Sequence, residues 1–244
     1  MAEPSIFTRA TDNNDKAQAG PSAVDKFLEK ATGRSQGVGR IVFAIDATAS
    51  RGPTWDMARG LTGDMIREAT SVGRLELQLV FFRGGSDSRE ECVASDWISD
   101  PTRFAQIIAK VECRAGYTQI TRALAHGRRE TTKDKVNAMV LIGDACEPVE
   151  DTMDSVSVEA AELGRSKLPV FAFLEGRDAL AETGFHKIAE LSGGAFGRFD
   201  AGGVKQLGEL LKAVAAFAAG GAQALEGRQD EASMLLLEQM RRNG

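Results

Sequence analysis

The sequence predicts an α/β protein with a doubly wound, Rossmann-like sheet of six strands, mostly parallel, with one antiparallel edge strand and helices on both faces. Strand-like and helix-like segments alternate along most of the chain. The first strand-like run, IVFAI, is apolar without interruption, as is typical of a strand that is buried on both faces. One link between successive strands is too short to hold a helix and predicts a hairpin.

Residues 1–38 are predicted to form a flexible N-terminal arm with one short helix. The segment is polar and irregular up to about residue 20. Ser22 and Asp25 then resemble an N-cap, and apolar residues follow at helical spacing up to Ala31.

Residues 39–220 contain the alternating segments and are predicted to form the main domain. Each strand prediction depends on a short run of apolar residues that ends at Gly, Asp or a polar cluster. The predicted strands are residues 39–46, 74–82, 91–98, 137–143, 169–174 and 195–199.

Helical spacing of apolar residues fills the gaps between these strands. One helix start has a specific signal, because Asp100 and Pro101 fit the N-cap and the first helical position. The tail, residues 221–244, includes EASMLLLEQMR, which fits an amphipathic helix. The other predicted helices are residues 54–71, 101–112, 119–132, 152–166, 178–191 and 203–219.

The link of residues 83–90, RGGSDSRE, predicts that the third strand is antiparallel. Gly84, Gly85 and Asp87 suit a tight reversal of the chain. The other connections contain helices, so right-handed crossovers predict the strand order 3-2-1-4-5-6. In that order the first and fourth strands are neighbours, and a ligand crevice opens where their carboxyl ends meet.

Oxygen-bearing side chains from three separate segments are predicted to meet at this crevice. The first strand ends on DATAS, the loop before the predicted helix 119–132 contains GYT, and the fourth strand ends on LIGD. Following each segment up or down the sheet brings all three to the same rim. The predicted metal ligands are Asp46, Thr48, Ser50, Thr118 and Asp144.

The chemistry of these ligands favours a hard divalent cation. Two carboxylates and three hydroxyls are all oxygen donors, and the set contains neither Cys nor His. Oxygen donors of this kind suit Mg²⁺ first and Mn²⁺ second. We therefore expect one bound Mg²⁺ or Mn²⁺, with coordination positions left for water or a ligand.

Composition and charge restrict the possible function classes. The chain has 244 residues, 43% hydrophobic and 27% charged, which is enough for one large domain with a core. A formal net charge of −5 argues against a nucleic-acid-binding surface. No segment reaches the roughly 18 uninterrupted apolar residues of a membrane span. We expect neither nucleic acid nor a membrane as a partner.

The three cysteines and the N-terminus favour a cytoplasmic protein. Cys92, Cys113 and Cys146 are odd in number and show no C-x-x-C spacing, which indicates reduced thiols. The N-terminal residues have no apolar core of the kind that a secretory signal requires.

The segments DATAS, GYTQITRAL and LIGDACE resemble the three parts of the metal-ion-dependent adhesion site of von Willebrand factor type A domains, in particular those of bacterial cytosolic proteins. Thr48 replaces the first Ser of the family pattern D-x-S-x-S. The resemblance covers about residues 39–219 and keeps the three parts in order on the expected elements.

The resemblance implies a binding module and not an enzyme. In this family a partner protein supplies an Asp or Glu carboxylate that completes the coordination of the metal. Bacterial cytosolic relatives often act as adaptors beside ATPases or chaperone-like proteins. The identity of the partner and the oligomeric state stay open.

Other interpretations of the same residues remain. A Mg²⁺-dependent phosphohydrolase would use Asp46 as nucleophile, but that class needs a second acid where Thr48 stands. A nucleotide-binding domain would need glycines that DATASRGP lacks. Asp46 alone could also be a helix-capping acid. Arg83 and Arg89 could contact an acidic partner, and His126 lies too far along its helix to act at the metal.

Overall fold

The computed structural model describes residues 38–49, 74–84, 91–146, 152–200 and 203–244. The predicted N-terminal arm, apart from Val38, and the predicted helix 54–71 therefore lie outside the described residues. So do Ser50 and Arg89.

The described strands form one six-stranded sheet, and the predicted fold class is confirmed. The strand order is β3-β2-β1-β4-β5-β6, as the sequence predicts. All neighbouring pairs are parallel except β2 and β3, which are antiparallel. The strands are β1 (Gly39–Asp46), β2 (Leu75–Arg83), β3 (Glu91–Ala94), β4 (Ala138–Gly143), β5 (Val170–Glu175) and β6 (Ala195–Phe199).

The third strand is four residues shorter than predicted. Ser95 interrupts the ladder because its hydroxyl accepts a hydrogen bond from the Leu79 amide at 3.0 Å. The chain then returns to the sheet at Ile98, which exchanges two backbone hydrogen bonds of 2.8 Å with Leu77. The pattern of apolar residues cannot predict that a side-chain hydroxyl will replace the backbone of a neighbouring strand as a hydrogen-bond partner.

The helices of the described residues agree with the predicted segments to within about three residues, except where the fifth continues beyond residue 219. Asp100 caps the first of them by accepting from the Thr102 amide at 2.8 Å, with Pro101 in the first turn as predicted. These helices are α1 (Pro101–Ala109), α2 (Ile120–Lys133), α3 (Met153–Arg165), α4 (Ala179–Ser192), α5 (Val204–Glu226) and α6 (Glu231–Asn243).

The core lies on both faces of the sheet because side chains of a strand alternate between its two faces. In β1, Ile41, Phe43 and Ile45 face the layer of α1, α5 and α6. Val42 and Ala44 face the layer of α2, α3 and α4. Residues 41–45 of β1 are buried on both faces, which explains why the run IVFAI is apolar at every position.

The C-terminal tail packs against the domain. Gly221, with φ of 68°, interrupts α5 where the sequence predicts the domain to end. Ala232, Leu236 and Leu237 of α6 nevertheless belong to the core on that face of the sheet. The boundary at residue 220 stays a prediction, while the docking of α6 shows that the tail shares the core of the domain.

No helix in the described part of the chain combines the length and the apolar character that crossing a bilayer requires.

Candidate metal centre

The carboxyl ends of β1 and β4 bring the two predicted acidic ligands to the same edge of the sheet. Ile45 pairs with Ile142, so Asp46 lies beside Gly143. A Cβ atom at Gly143 would lie 3.7 Å from the Cβ of Asp46. Asp144 is the next residue along the chain, and it is half-buried whereas Asp46 is fully buried.

Asp46 organises the first residues of the loop that follows β1. Its Oδ1 accepts a hydrogen bond of 2.8 Å from the backbone amide of Thr48. Thr48 is itself only 7% exposed. A buried carboxylate is unfavourable unless hydrogen bonds or a cation compensate for lost hydration, and this bond supplies part of that compensation.

The loop of residues 113–118 is attached to the end of β1 by its backbone. The Arg114 amide donates to the Ala47 carbonyl at 3.1 Å, and Thr48 forms an isolated parallel bridge with Arg114. Thr118, at the end of the loop, is 2% exposed. These contacts place the GYT segment at the rim where Asp46 lies.

Gly116 allows this loop to approach the end of β2 closely. The Gly84 amide donates to the Tyr117 carbonyl. A Cβ atom at Gly116 would lie 1.7 Å from the carbonyl oxygen of Gly84, a distance that no side chain tolerates. The glycine of the GYT segment is therefore required by the packing of two loops, and the loop position that it permits sets where Thr118 lies.

Four of the five predicted ligands thus lie on segments that meet at one rim, and Ser50 lies outside the described residues. Within the described ranges, no three side chains of His, Cys, Asp or Glu form a metal-binding group. A set of two carboxylates and several hydroxyls is compatible with that finding. The carboxylate and hydroxyl oxygens of these residues are hard donors, so their chemistry fits Mg²⁺ or Mn²⁺. The ligand set stays a prediction.

Gln119 is a buried polar residue that the sequence interpretation did not single out. It follows Thr118, is 4% exposed, and its Oε1 has no hydrogen-bond partner within the described ranges. A buried amide oxygen without a partner is unfavourable. The only sequence signal was its place directly after the GYT segment.

Arg83 has a structural role and does not present a free cation to a partner. It is 8% exposed, and its guanidinium donates to the carbonyl of Glu112. The same group lies 5.5 Å from the centre of the Phe81 ring. Arg83 therefore connects the end of β2 to the chain that enters the 113–118 loop.

His126 belongs to a polar network away from the candidate metal centre. Its Nε2 lies 2.8 Å from Oε1 of Gln78, whose Nε2 donates to the Ser95 carbonyl at 3.1 Å. Burial lowers the pKa of His126 to about 4, with nearby Glu130 opposing that effect. The neutral imidazole is therefore the form that the folded protein accommodates.

The depressed pKa of His126 predicts a loss of stability in mild acid. The unfolded chain binds a proton near pH 6.5, whereas the folded chain does so only near pH 4. Stability is then lost as the pH falls from 6.5 towards 4, by about 2 kcal/mol between pH 7 and pH 5. We expect the free energy of unfolding of His126→Gln, measured with urea, to fall less than that of wild type between pH 7 and pH 5. The half-exposed His186 supplies the control, since His186→Gln should lose nearly as much unfolding free energy as wild type over this interval. An equal loss of unfolding free energy in wild type and His126→Gln would contradict the prediction.

Solved structures provide the comparisons, since no protein-family model and no curated protein matches the chain. BatB from Bacteroides thetaiotaomicron is 17% identical, with a TM-score of 0.55 over 71% of this chain and 96% of that protein. Proximal thread matrix protein 1 from the mussel byssus, with a zinc-occupied MIDAS motif, is 18% identical, with a TM-score of 0.58 over 75% of this chain and 46% of its own.

A third similar structure is the von Willebrand factor type A protein from Catenulispora acidiphila. It is 16% identical, with a TM-score of 0.55 over 75% of this chain and 43% of its own length. The chain thus spans less than half of the last two proteins. At these identities the likeness concerns the fold. The strand order, the antiparallel β3 and these neighbours together show that this chain has the fold of von Willebrand factor type A domains.

Proposed function

We propose that this protein is a metal-dependent protein-interaction module. Asp46, Thr48, Ser50, Thr118 and Asp144 would hold one divalent cation at the carboxyl edge of the sheet. A partner protein would supply an Asp or Glu carboxylate to the same cation. The proposal includes an adaptor role in a cytoplasmic multiprotein system.

The observation that carries this proposal is the junction of loops at the ends of β1, β2 and β4. Asp46, Thr48 and Thr118 are all at least nine-tenths buried there, although each has a polar side chain. Buried polar groups in native proteins are hydrogen-bonded or coordinate metals. A fold that concentrates oxygen atoms at this edge is well suited to a hard cation.

Magnesium is the cation that we propose, with manganese second, because hard oxygen donors prefer both over softer ions. A bound cation would supply a positive centre for an anionic oxygen of the partner. The chain contributes two carboxylates, which leaves a divalent ion formally neutralised but still able to accept another oxygen ligand. The zinc in the mussel protein shows that one protein of this fold accepts a divalent ion at its own site.

The rim around this junction offers exposed side chains that a partner could contact. Tyr117 is 53% exposed although it lies between Gly116 and the buried Thr118. The side chain of Arg114 is 62% exposed and pairs with Glu112 at 3.0 Å. Both residues belong to the loop that the backbone bonds fix, so little ordering would be needed on binding.

The phosphohydrolase alternative has less support. Thr48 occupies the position where that chemistry needs a general acid, and a threonine hydroxyl cannot supply a proton at neutral pH. Phosphatase turnover by the wild type that is lost in Asp46→Asn would nevertheless favour an enzyme.

Affinity capture from a lysate of the source cells tests the interaction. We expect partners to be retained in Mg²⁺, lost in EDTA and recovered when Mg²⁺ or Mn²⁺ is added back. Thr118→Ala should lose the same partners in Mg²⁺, whereas Thr132→Ala, an exposed threonine in the last turn of α2, should keep them. Recovery of the same proteins with and without EDTA would contradict the proposal.

A further inference from the structure

Gln119 lies at the start of α2, on the side of the helix that packs against the sheet. Its carbonyl accepts from the Ala123 amide at 3.3 Å, so the first turn of α2 starts at Gln119. Residues seven apart complete about two turns of a helix and share one of its faces. Gln119 therefore lies on the face of His126, which contacts Gln78 of β2 at 2.8 Å.

Helix α2 runs antiparallel to the first two strands of the sheet. It begins beside Thr118, at the carboxyl edge of the strands. It ends beside Asp134, which accepts a hydrogen bond of 2.8 Å from Arg40 near the start of β1. The start of α2 is therefore the end nearer to the candidate metal centre.

Gln119 and Asp46 lie at the same level of the sheet. The seven residues between Gln119 and the contact with Gln78 rise by about 10.5 Å along the helix. This rise equals about three residues of a strand. Counted from Gln78, it reaches the last residues of β2, where Phe82 pairs with Asp46.

Asp46 also lies on the face of the sheet that α2 covers. Val42 and Ala44 belong to the core on that face. Side chains two apart on a strand lie on the same face, and Asp46 continues this series as a fully buried residue. The fold thus brings the buried side chains of Gln119 and Asp46 to one level on one face of the sheet.

The side-chain amide of Gln119 lacks a hydrogen bond that its burial requires. The residue is 4% exposed, and its Oε1 has no partner among the described residues. Its side chain makes no capping bond to α2 either. Exchanging Oε1 and Nε2 by rotation of the amide would leave a donor unpaired in the same place. Buried polar atoms in native proteins are nearly always paired, so a partner is required at this position.

We propose that Gln119 is a positioning residue of the metal centre, whose Oε1 accepts a hydrogen bond from a water ligand of the cation. The inference rests on the proposed function, since Asp46 must hold that cation. Mg²⁺ gives up its hydration reluctantly and usually keeps several waters in proteins. An amide oxygen beside the ligands orients one of these waters, as outer-shell partners of metal sites do.

Gln119→Leu removes the acceptor and keeps most of the side-chain volume. We expect the Kd for Mg²⁺, taken from the Mg²⁺ dependence of thermal unfolding, to rise about 10–100-fold. In EDTA the urea midpoint should equal or exceed that of wild type, because an unpaired buried amide has been removed. The matched control is Gln106→Leu, the same change at an exposed glutamine of α1, which should keep the wild-type Kd.

Gln119→Glu should show the opposite pattern. A carboxylate keeps an acceptor at this position and adds a negative charge, so Mg²⁺ should bind at least as tightly as it does to wild type. In EDTA the urea midpoint should fall, because the carboxylate is buried without a partner. A packing role of Gln119 predicts instead that Gln119→Leu loses stability in EDTA.

Three results would overturn the role of Gln119. They are an unchanged Kd in Gln119→Leu, a lower urea midpoint of Gln119→Leu in EDTA, and weaker Mg²⁺ binding by Gln119→Glu. Asp46→Asn, measured alongside, separates this inference from the proposed function. If wild type does not bind Mg²⁺, or if Asp46→Asn binds it as tightly as wild type, the metal centre itself is disproved and the role of Gln119 with it. If Asp46→Asn loses affinity while Gln119→Leu keeps it, only the role of Gln119 is disproved.

Discussion

Asp46→Asn is expected to remove most of the stabilisation of this protein by Mg²⁺. The side chain of Asp46 is fully buried at the junction of the loops, and it is one of only two charges in the proposed ligand set. Truncating one partner of a buried charge pair typically costs about 2–5 kcal/mol, which corresponds to a loss of affinity of roughly 30-fold or more. Asparagine keeps the shape and can still accept from the Thr48 amide, so the fold should persist.

Thermal unfolding in a Mg²⁺ titration measures this effect without any knowledge of the partner. A wild-type protein with Mg²⁺ at 100 times its Kd gains about 2.7 kcal/mol of stability. At the same Mg²⁺ concentration a roughly 30-fold loss of affinity limits the gain of the variant to about 0.9 kcal/mol or less. In EDTA the variant should be at least as stable as wild type because a buried charge has been removed. Asp178→Asn supplies the control, since Asp178 is an exposed acid that caps α4 by accepting from the Ala181 amide. A variant that responds to Mg²⁺ as wild type does would disprove the role of Asp46.

Gly116→Ala is expected to reduce both the stability and the Mg²⁺ response. The new Cβ would overlap the Gly84 carbonyl oxygen, which belongs to backbone and cannot rotate away. Steric overpacking of this kind usually costs about 1–3 kcal/mol. Since Thr118 lies two residues further on, a displaced loop would also move its hydroxyl from the position that we propose for a metal ligand.

Thermal unfolding and Mg²⁺ titration of this variant give the two readouts. For a domain of this size, the expected loss lowers the Tm by roughly 2–12 °C. Gly227→Ala is the matched control, because a Cβ there would have no neighbour nearer than 3.7 Å. Wild-type stability in Gly116→Ala would show that the two loops do not need their close approach.

The candidate site could be predicted largely from the order of the elements. Parallel strands end at the same edge, so a chain that places Asp46 and Asp144 after the first and fourth strands brings both acids to that edge. The observed pairing of Ile45 with Ile142 agrees with this. The approach of the 113–118 loop to β2, by contrast, depends on contacts between Gly84 and Gly116, which lie 32 positions apart in the sequence.

Arg83 illustrates why exposure is difficult to infer from sequence. An arginine beside a glycine-rich link favours a solvent-exposed position, and sequence reasoning therefore suggested a contact with a partner. In the folded chain the Glu112 carbonyl and the Phe81 ring lie close to it and provide partners for a buried guanidinium. Glu112 belongs to a separate segment, so its position depends on tertiary packing.

The sequence by itself determined the fold class, the strand order and the antiparallel direction of β3, because hydrophobic periodicity and link length act locally and restrict the possible topologies. Only the tertiary structure decided the end of β3 at Ser95, the burial of Arg83, and the docking of Gln239 on the edge of β6. Each of these depends on a polar group that finds its hydrogen-bond partner in a distant segment. Such pairings satisfy the backbone or a buried side chain only after folding, and no local pattern encodes them.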